Sequence, residues 1–134
     1  MSDLPAGSYL MSEYHDGHRR LEIRTVYYDD GRVELSDAEG TMTVCVFTPE
    51  QVARAKDAIR ASGLLSASDL SAEGVHDSAT FTYLWKLDGQ SGSVTNAAYP
   101  TRQHTAFKIL EEQLNAIEEE CNGSNSNGIF VDTQ

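Results

Sequence analysis

The stretch from Leu21 to Phe47, LEIRTVYYDDGRVELSDAEGTMTVCVF, decides the fold. Leu21, Ile23, Val33, Leu35, Met42, Val44 and Val46 fall on one parity of their segments, while Glu22, Arg24, Glu34, Ser36, Thr41 and Thr43 fall on the other. Such alternation is the period of a β-strand with one apolar and one polar face, the pattern of an antiparallel sheet covered on one side. Asp30-Gly31 and Glu39-Gly40 interrupt it with glycines that supply the positive φ of tight hairpins. The stretch therefore predicts strands over Arg19–Tyr28, Arg32–Asp37 and Thr41–Phe47. Tyr27 and Tyr28 are adjacent, so one of them faces outward.

Ahead of this stretch, Ser8–Tyr14 alternates in the same way and joins it through Asp16-Gly17, giving a fourth strand. Behind it, Thr48-Pro49-Glu50-Gln51 has the chemistry of a helix start: a hydroxyl cap, proline at the first helical position and glutamine three residues after the cap. This helix is expected to end at Ser62-Gly63, burying Val52, Ala55 and Ile59, with Leu64 and Leu65 anchoring its exit. Ser66–Ser78 reads as a loop. Ala79–Leu87 reads as a strand whose Phe81, Tyr83 and Trp85 face the core, and Asp88–Gly92 turns it onto Ser93–Tyr99, ended by Pro100. Thr101 can cap a second helix in which Phe107, Leu110, Leu114 and Ile117 recur at helical spacing. Glu118, Glu119 and Glu120 sit at the negative end of its dipole, which predicts fraying there.

The expected fold is thus α+β: an antiparallel sheet of about six strands in the order ββββ-α-ββ-α, with both helices on one face. Residues 1–120 form a single domain, and 121–134 read as a flexible Asn/Gly/Ser-rich tail.

With 134 residues, 21 acidic against 10 basic side chains and a formal charge of −11, the chain can build a real core, and its charge opposes nucleic-acid and anionic-membrane partners. No apolar run approaches the roughly 20 residues of a membrane span. The first residues carry no secretory pattern, so the chain reads as cytoplasmic, with Cys45 and Cys121 as free thiols.

Two constellations stand out as candidate sites. Asp29, Asp30, Glu34, Asp37 and Glu39 set five carboxylates around Arg32, a surface suited to a basic protein partner. Asp-Asp-Gly-Arg lacks the ligand spacing of an EF-hand loop. His15 and His18 flank a hairpin tip and could share a metal ion, but a zinc centre needs three or four protein ligands. Gly89-Gln90-Ser91-Gly92-Ser93 misses the nucleophile elbow at its last position and lies in a hairpin rather than a strand-to-helix turn. No constellation carries catalysis or a cofactor.

From about Arg20 to Ile117 the layout is similar to small bacterial domains of the emfourin type. The matching residues are Thr48-Pro49-Glu50-Gln51-Val52, Gly63-Leu64-Leu65, Phe81-Thr82-Tyr83 and Asp88-Gly89. The resemblance implies a proteinaceous inhibitor of a thermolysin-like metalloprotease, and it leaves the first strand and the tail uncovered. The expected function is a non-catalytic protein-binding module, an inhibitor or regulator, acting through a sheet edge, a hairpin tip or the acidic patch. The alternative is a small-molecule or metal-binding domain using a cavity under the aromatic stripe or the His15/His18 hairpin. Homo-oligomerisation through an edge strand is a further route to assembly.

Overall fold

The computed structural model describes residues 4–17, 21–75 and 78–126. Its elements are β1 (Ser8–Asp16), β2 (Leu21–Tyr28), β3 (Arg32–Asp37), β4 (Gly40–Val46), α1 (Pro49–Ser62), β5 (Ala79–Leu87), β6 (Gln90–Tyr99) and α2 (Thr105–Ser126). The strands form one antiparallel sheet in the order β4-β3-β2-β1-β5-β6. This is the α+β arrangement that the periodicity predicts. Among the described residues, no helix is long and apolar enough to cross a membrane.

The ladders show why one face is covered. Leu10 lies opposite Tyr27 on β2 and Trp85 on β5, and these side chains join Val33, Tyr83, Ile59, Phe107, Leu110, Leu114 and Ile117 in one buried cluster. Helix α2 crosses the sheet. Near its start, Phe107 packs against Phe81 and Tyr83 of β5 at ring-centroid distances of 5.8 and 4.8 Å, and Cys121 near its end reaches β4. That crossing covers four strand spacings, about 19 Å.

The start of α1 follows its sequence chemistry. Gln51 N–H donates to Thr48 Oγ1 at 3.1 Å, Thr48 N–H donates to Gln51 Oε1 at 2.9 Å, and Gly63 ends the helix at φ 88°. Arg60 forks onto both oxygens of Asp88 at 2.8 and 2.9 Å and so ties α1 to the β5–β6 turn. That turn is shorter than expected. Asp88 and Gly89 alone make it, at φ 55° and 77°, and Gly92 sits within β6 under the Trp85 ring. A Cβ at Gly92 would come within 2.7 Å of that ring, so the glycine makes room for the indole.

Four expectations are corrected. First, β4 does not bury Met42, Val44 and Val46 together. A bulge between the pairs Thr43–Glu34 and Cys45–Val33 turns Cys45 inward and Val46 outward, so Cys45 is buried and Val46 is 57% exposed; Met42 pairs with Leu35 on the same face as Val33, yet is 58% exposed. Second, Cys45 and Cys121 are not free thiols but a disulfide, with Cα atoms 6.1 Å apart across a sequence separation of 76. Third, α2 begins at Thr105, four residues after the expected cap at Thr101. Fourth, its end does not fray at the glutamates: Arg54 binds both oxygens of Glu120 at 2.6 and 2.8 Å, offsetting the unfavourable dipole. The helix carries on through Ser126, past the point at residue 121 where the sequence places the start of a tail.

Closing a loop of this size constrains the unfolded chain by about 4 kcal/mol in the chain-entropy account. Replacing both Cys45 and Cys121 with serine is expected to lower unfolding stability by about that amount in urea titrations. A loss below about 1 kcal/mol would show that the tie constrains little.

Candidate functional site

The acidic patch is divided by the fold. At the β2–β3 turn, Arg32 contacts Asp30 at 2.9 Å and Glu34 at 3.0 Å, and its guanidinium lies 4.2 Å from the centre of the Tyr28 ring. The Arg32 backbone N–H, and then its guanidinium, hold the Asp30 carboxyl below its ordinary range. Asp29 meets Lys56 of α1 at 2.9 Å, a partner that the linear sequence does not reveal. Asp37 and Glu39 lie at the other end of β3, about 17–20 Å away for a six-residue strand. There Asp37 accepts the Glu39 N–H at 2.8 Å. The structure therefore groups Asp29, Asp30, Arg32 and Glu34 as a mostly paired cluster and sets Asp37 and Glu39 apart.

On the face of the sheet away from the helices, one ladder row runs through all six strands: Thr41, Ser36, Arg24, Glu13, Thr82 and Thr95. Arg24 binds Glu13 at 2.9 Å, Ser36 meets Thr41 at 2.8 Å and Thr82 meets Thr95 at 3.0 Å. One step along β1, His15 Nδ1 lies 3.3 Å from Glu22, its direct partner on β2. These rows floor an open cleft of about 560 Å³ with Asp37 at its rim. Its hydroxyls and carboxylates can hold a polar or cationic group. His18 lies outside the described residues, and among the described residues no group of three metal-ligating side chains comes together.

The two sheet edges differ. On β6, Leu70 pairs alongside Asn96: its N–H donates to the Thr95 carbonyl and its carbonyl accepts from Ala97, both at 2.9 Å. Asp69 Oδ1 takes the Thr95 N–H at 2.8 Å, so this stretch of edge is closed by the chain itself. At the other edge, β4 has β3 as its sole strand neighbour among the described residues. From Gly40 to Val46 it holds no charged residue and no proline, the two commonest guards of a free edge; the bulge is its one such device. The exposed Met42 and Val46 flank that bulge. Asp37 and Glu39 stand at one end of the strand and Glu50 at the other. Sequence reading missed this edge because regular alternation predicts Met42 and Val46 inside.

Compared with known proteins, the chain matches no family model, and no curated protein is significantly similar to it.

Between sheet and helices, Tyr27 Oη donates to Glu118 Oε2 at 2.8 Å. Burial raises the Glu118 carboxyl above its ordinary value, by more than the Tyr27 hydrogen bond lowers it. A raised folded pKa means that the folded state binds the extra proton. The contribution of this group is therefore largest below the unfolded carboxylate pKa and falls as pH rises through the folded one. Glu118→Gln keeps an acceptor for Tyr27 but does not titrate. Relative to wild type, its unfolding stability is expected to rise as pH is raised through the carboxylate range. A constant difference at every pH would contradict the assignment.

Proposed function

We propose that this chain is a non-catalytic protein-binding module, an inhibitor or regulator, that docks an extended segment of a partner along the outer edge of β4. The observation that carries this reading is the contrast between edges: the stretch of β6 around Thr95–Ala97 is covered by Leu70 and Asp69, while β4 offers an uncharged strand with exposed Met42 and Val46. A partner strand would gain main-chain hydrogen bonds along that edge and apolar contact at those two side chains. The carboxylates of Asp37, Glu39 and Glu50 at the ends of the strand favour a segment with basic flanks, and long-range attraction would speed its arrival. Inhibition is the form of binding that the emfourin-type layout implies. The Cys45–Cys121 disulfide supports an oxidising compartment over the cytoplasm, since such bonds are rare where thiols are kept reduced.

A second reading has its own observation, the cleft over Glu13, His15, Glu22 and Arg24 on the open face. Ligand-dependent thermal stabilisation that is lost in Arg24→Ala would favour a small polar ligand there.

The test of the main reading is affinity capture with wild type and with the Met42→Lys/Val46→Lys variant, both checked for fold by circular dichroism. Lysines on an edge strand oppose strand addition. Recovery of the captured partner is expected to fall at least about tenfold, which corresponds to about 1.4 kcal/mol. Equal recovery by both proteins would exclude the β4 edge as the docking surface.

A further inference from the structure

We infer that the helix-bearing face of the sheet holds a docking groove beside α2, and that its occupant is an amphipathic helix of a partner protein whose apolar face is flanked by Lys or Arg. The groove meets the outer edge of β4 only at Met42, so the inference goes beyond the edge-docking reading and does not depend on it.

Three ladder rows locate the groove. In the first, Trp85, Leu10, Tyr27, Val33 and Cys45 lie opposite one another from β5 to β4, and all are buried. The next row on the same face is Tyr83, Ser12, Thr25, Leu35 and Met42. It is buried at Tyr83, half-buried through the middle and 58% exposed at Met42. In the third row Phe81, Tyr14 and Ile23 are half-buried, and Leu21 beyond them is 36% exposed. The slant of α2 is the cause. The helix starts over Phe81 and Tyr83 on β5 and ends over Cys45 on β4, so it leaves the third row and then the second as it crosses. A wedge of apolar sheet that no described element covers opens toward β4. At β4 it runs from Cys45 back to Gly40, about 17 Å of strand. The half-width of α2 takes about 5 Å of that and leaves about 12 Å, the width of one more helix.

The walls of the wedge are acidic. Arg54 of α1 binds Glu120, which marks the side of α2 that faces α1. Glu118 lies about 200° round the helix from Glu120, and Glu111, seven residues earlier, shares the flank of Glu118. Glu118 accepts the Tyr27 hydroxyl, and burial first, then the charges of Glu111 and Glu118, raise the Tyr83 hydroxyl pKa, so this flank is the one beside the wedge. Across the floor, Asp37 ends β3 on the same face as Leu35, with no ion pair among the described residues. The described cations lie elsewhere. Arg24, Arg32 and Lys86 are on the open face, Arg54, Lys56 and Arg60 are on α1, and Arg102 and Lys108 are by the narrow end of the wedge. An apolar floor between carboxylates is complementary to a helix with an apolar face and basic flanks. A second copy, with a charge of −11, meets repulsion instead.

The experiment is an NMR titration of the full chain with a synthetic peptide of about 18 leucine and lysine residues, five turns, patterned as an amphipathic helix. The amides of Ile23, Leu35 and Met42 and of the flank from Glu111 to Glu118 are expected to shift. Affinity is expected to fall at least about tenfold in Ile23→Ser/Leu35→Ser and in Asp37→Lys/Glu111→Lys, both checked for fold by circular dichroism. The charge variant changes only exposed side chains, so it carries the test if the serines disturb folding. Equal binding by a scrambled peptide of the same composition overturns the inference, as does equal binding by a leucine–glutamate peptide of the same pattern. Shifts confined to the open face, or binding lost in Val46→Lys, also overturn it, the latter in favour of the β4 edge. Shifts at the groove amides that grow with protein concentration and without peptide overturn it in favour of a second copy.

Discussion

The Cys45–Cys121 bond joins the outermost strand of one side of the sheet to the helix that starts on the other side. The helical spacing of Phe107, Leu110, Leu114 and Ile117 makes α2 amphipathic, but it does not say where on the sheet the helix lies. Two anchors do: the packing of Phe107 on Phe81 and Tyr83 at one end, and the disulfide under β4 at the other. Between them, Tyr27 reaches up from β2 to Glu118, and Arg54 of α1 closes on Glu120 beside the bond. The covering of one face and the bareness of the other follow from that crossing.

The charge of −11 is unevenly met. Arg24, Arg32, Arg54, Lys56 and Arg60 each face a carboxylate, and these pairs are solvent-exposed, where such contacts add little stability. Their larger effect is on where negative potential remains. Asp29, Asp30 and Glu34 are neutralised at the β2–β3 turn, while Asp37, Glu39 and Glu50 flank β4 with no ion pair among the described residues. The unguarded apolar strand and the uncompensated charge therefore fall at the same edge, which is the physical basis for reading that edge as the interaction surface.

Local chemistry was legible in the residues. The hydroxyl, proline and glutamine at Thr48–Gln51 fixed the start of α1, the alternation after Leu21 gave a one-sided sheet, and the spacing from Phe107 gave α2. Features that depend on the third dimension were not. The bulge at Val44 reverses the inward and outward sense of β4 and cannot be seen in a pattern that alternates without interruption. The pairing of two cysteines 76 residues apart is set by the crossing of α2, and so is the rescue of Glu120 by Arg54. The five carboxylates of the candidate patch are close in sequence, yet β3 carries them to opposite ends of a hairpin. The exposure along β4 was hidden too, because its exposed side chains, Met42 and Val46, are those that regular alternation would bury.

The central claim is that β4 and α2 are held together covalently, and a thiol titration tests it most directly. The protein would be purified without reductant, unfolded in guanidinium and exposed to a thiol-reactive chromophore before and after reduction. The account predicts no reactive thiol in the unreduced chain and both cysteines reactive after reduction. Two reactive thiols in the unreduced chain would contradict it, and the placement of the end of α2 against β4 would then rest on packing and the Arg54–Glu120 contact alone.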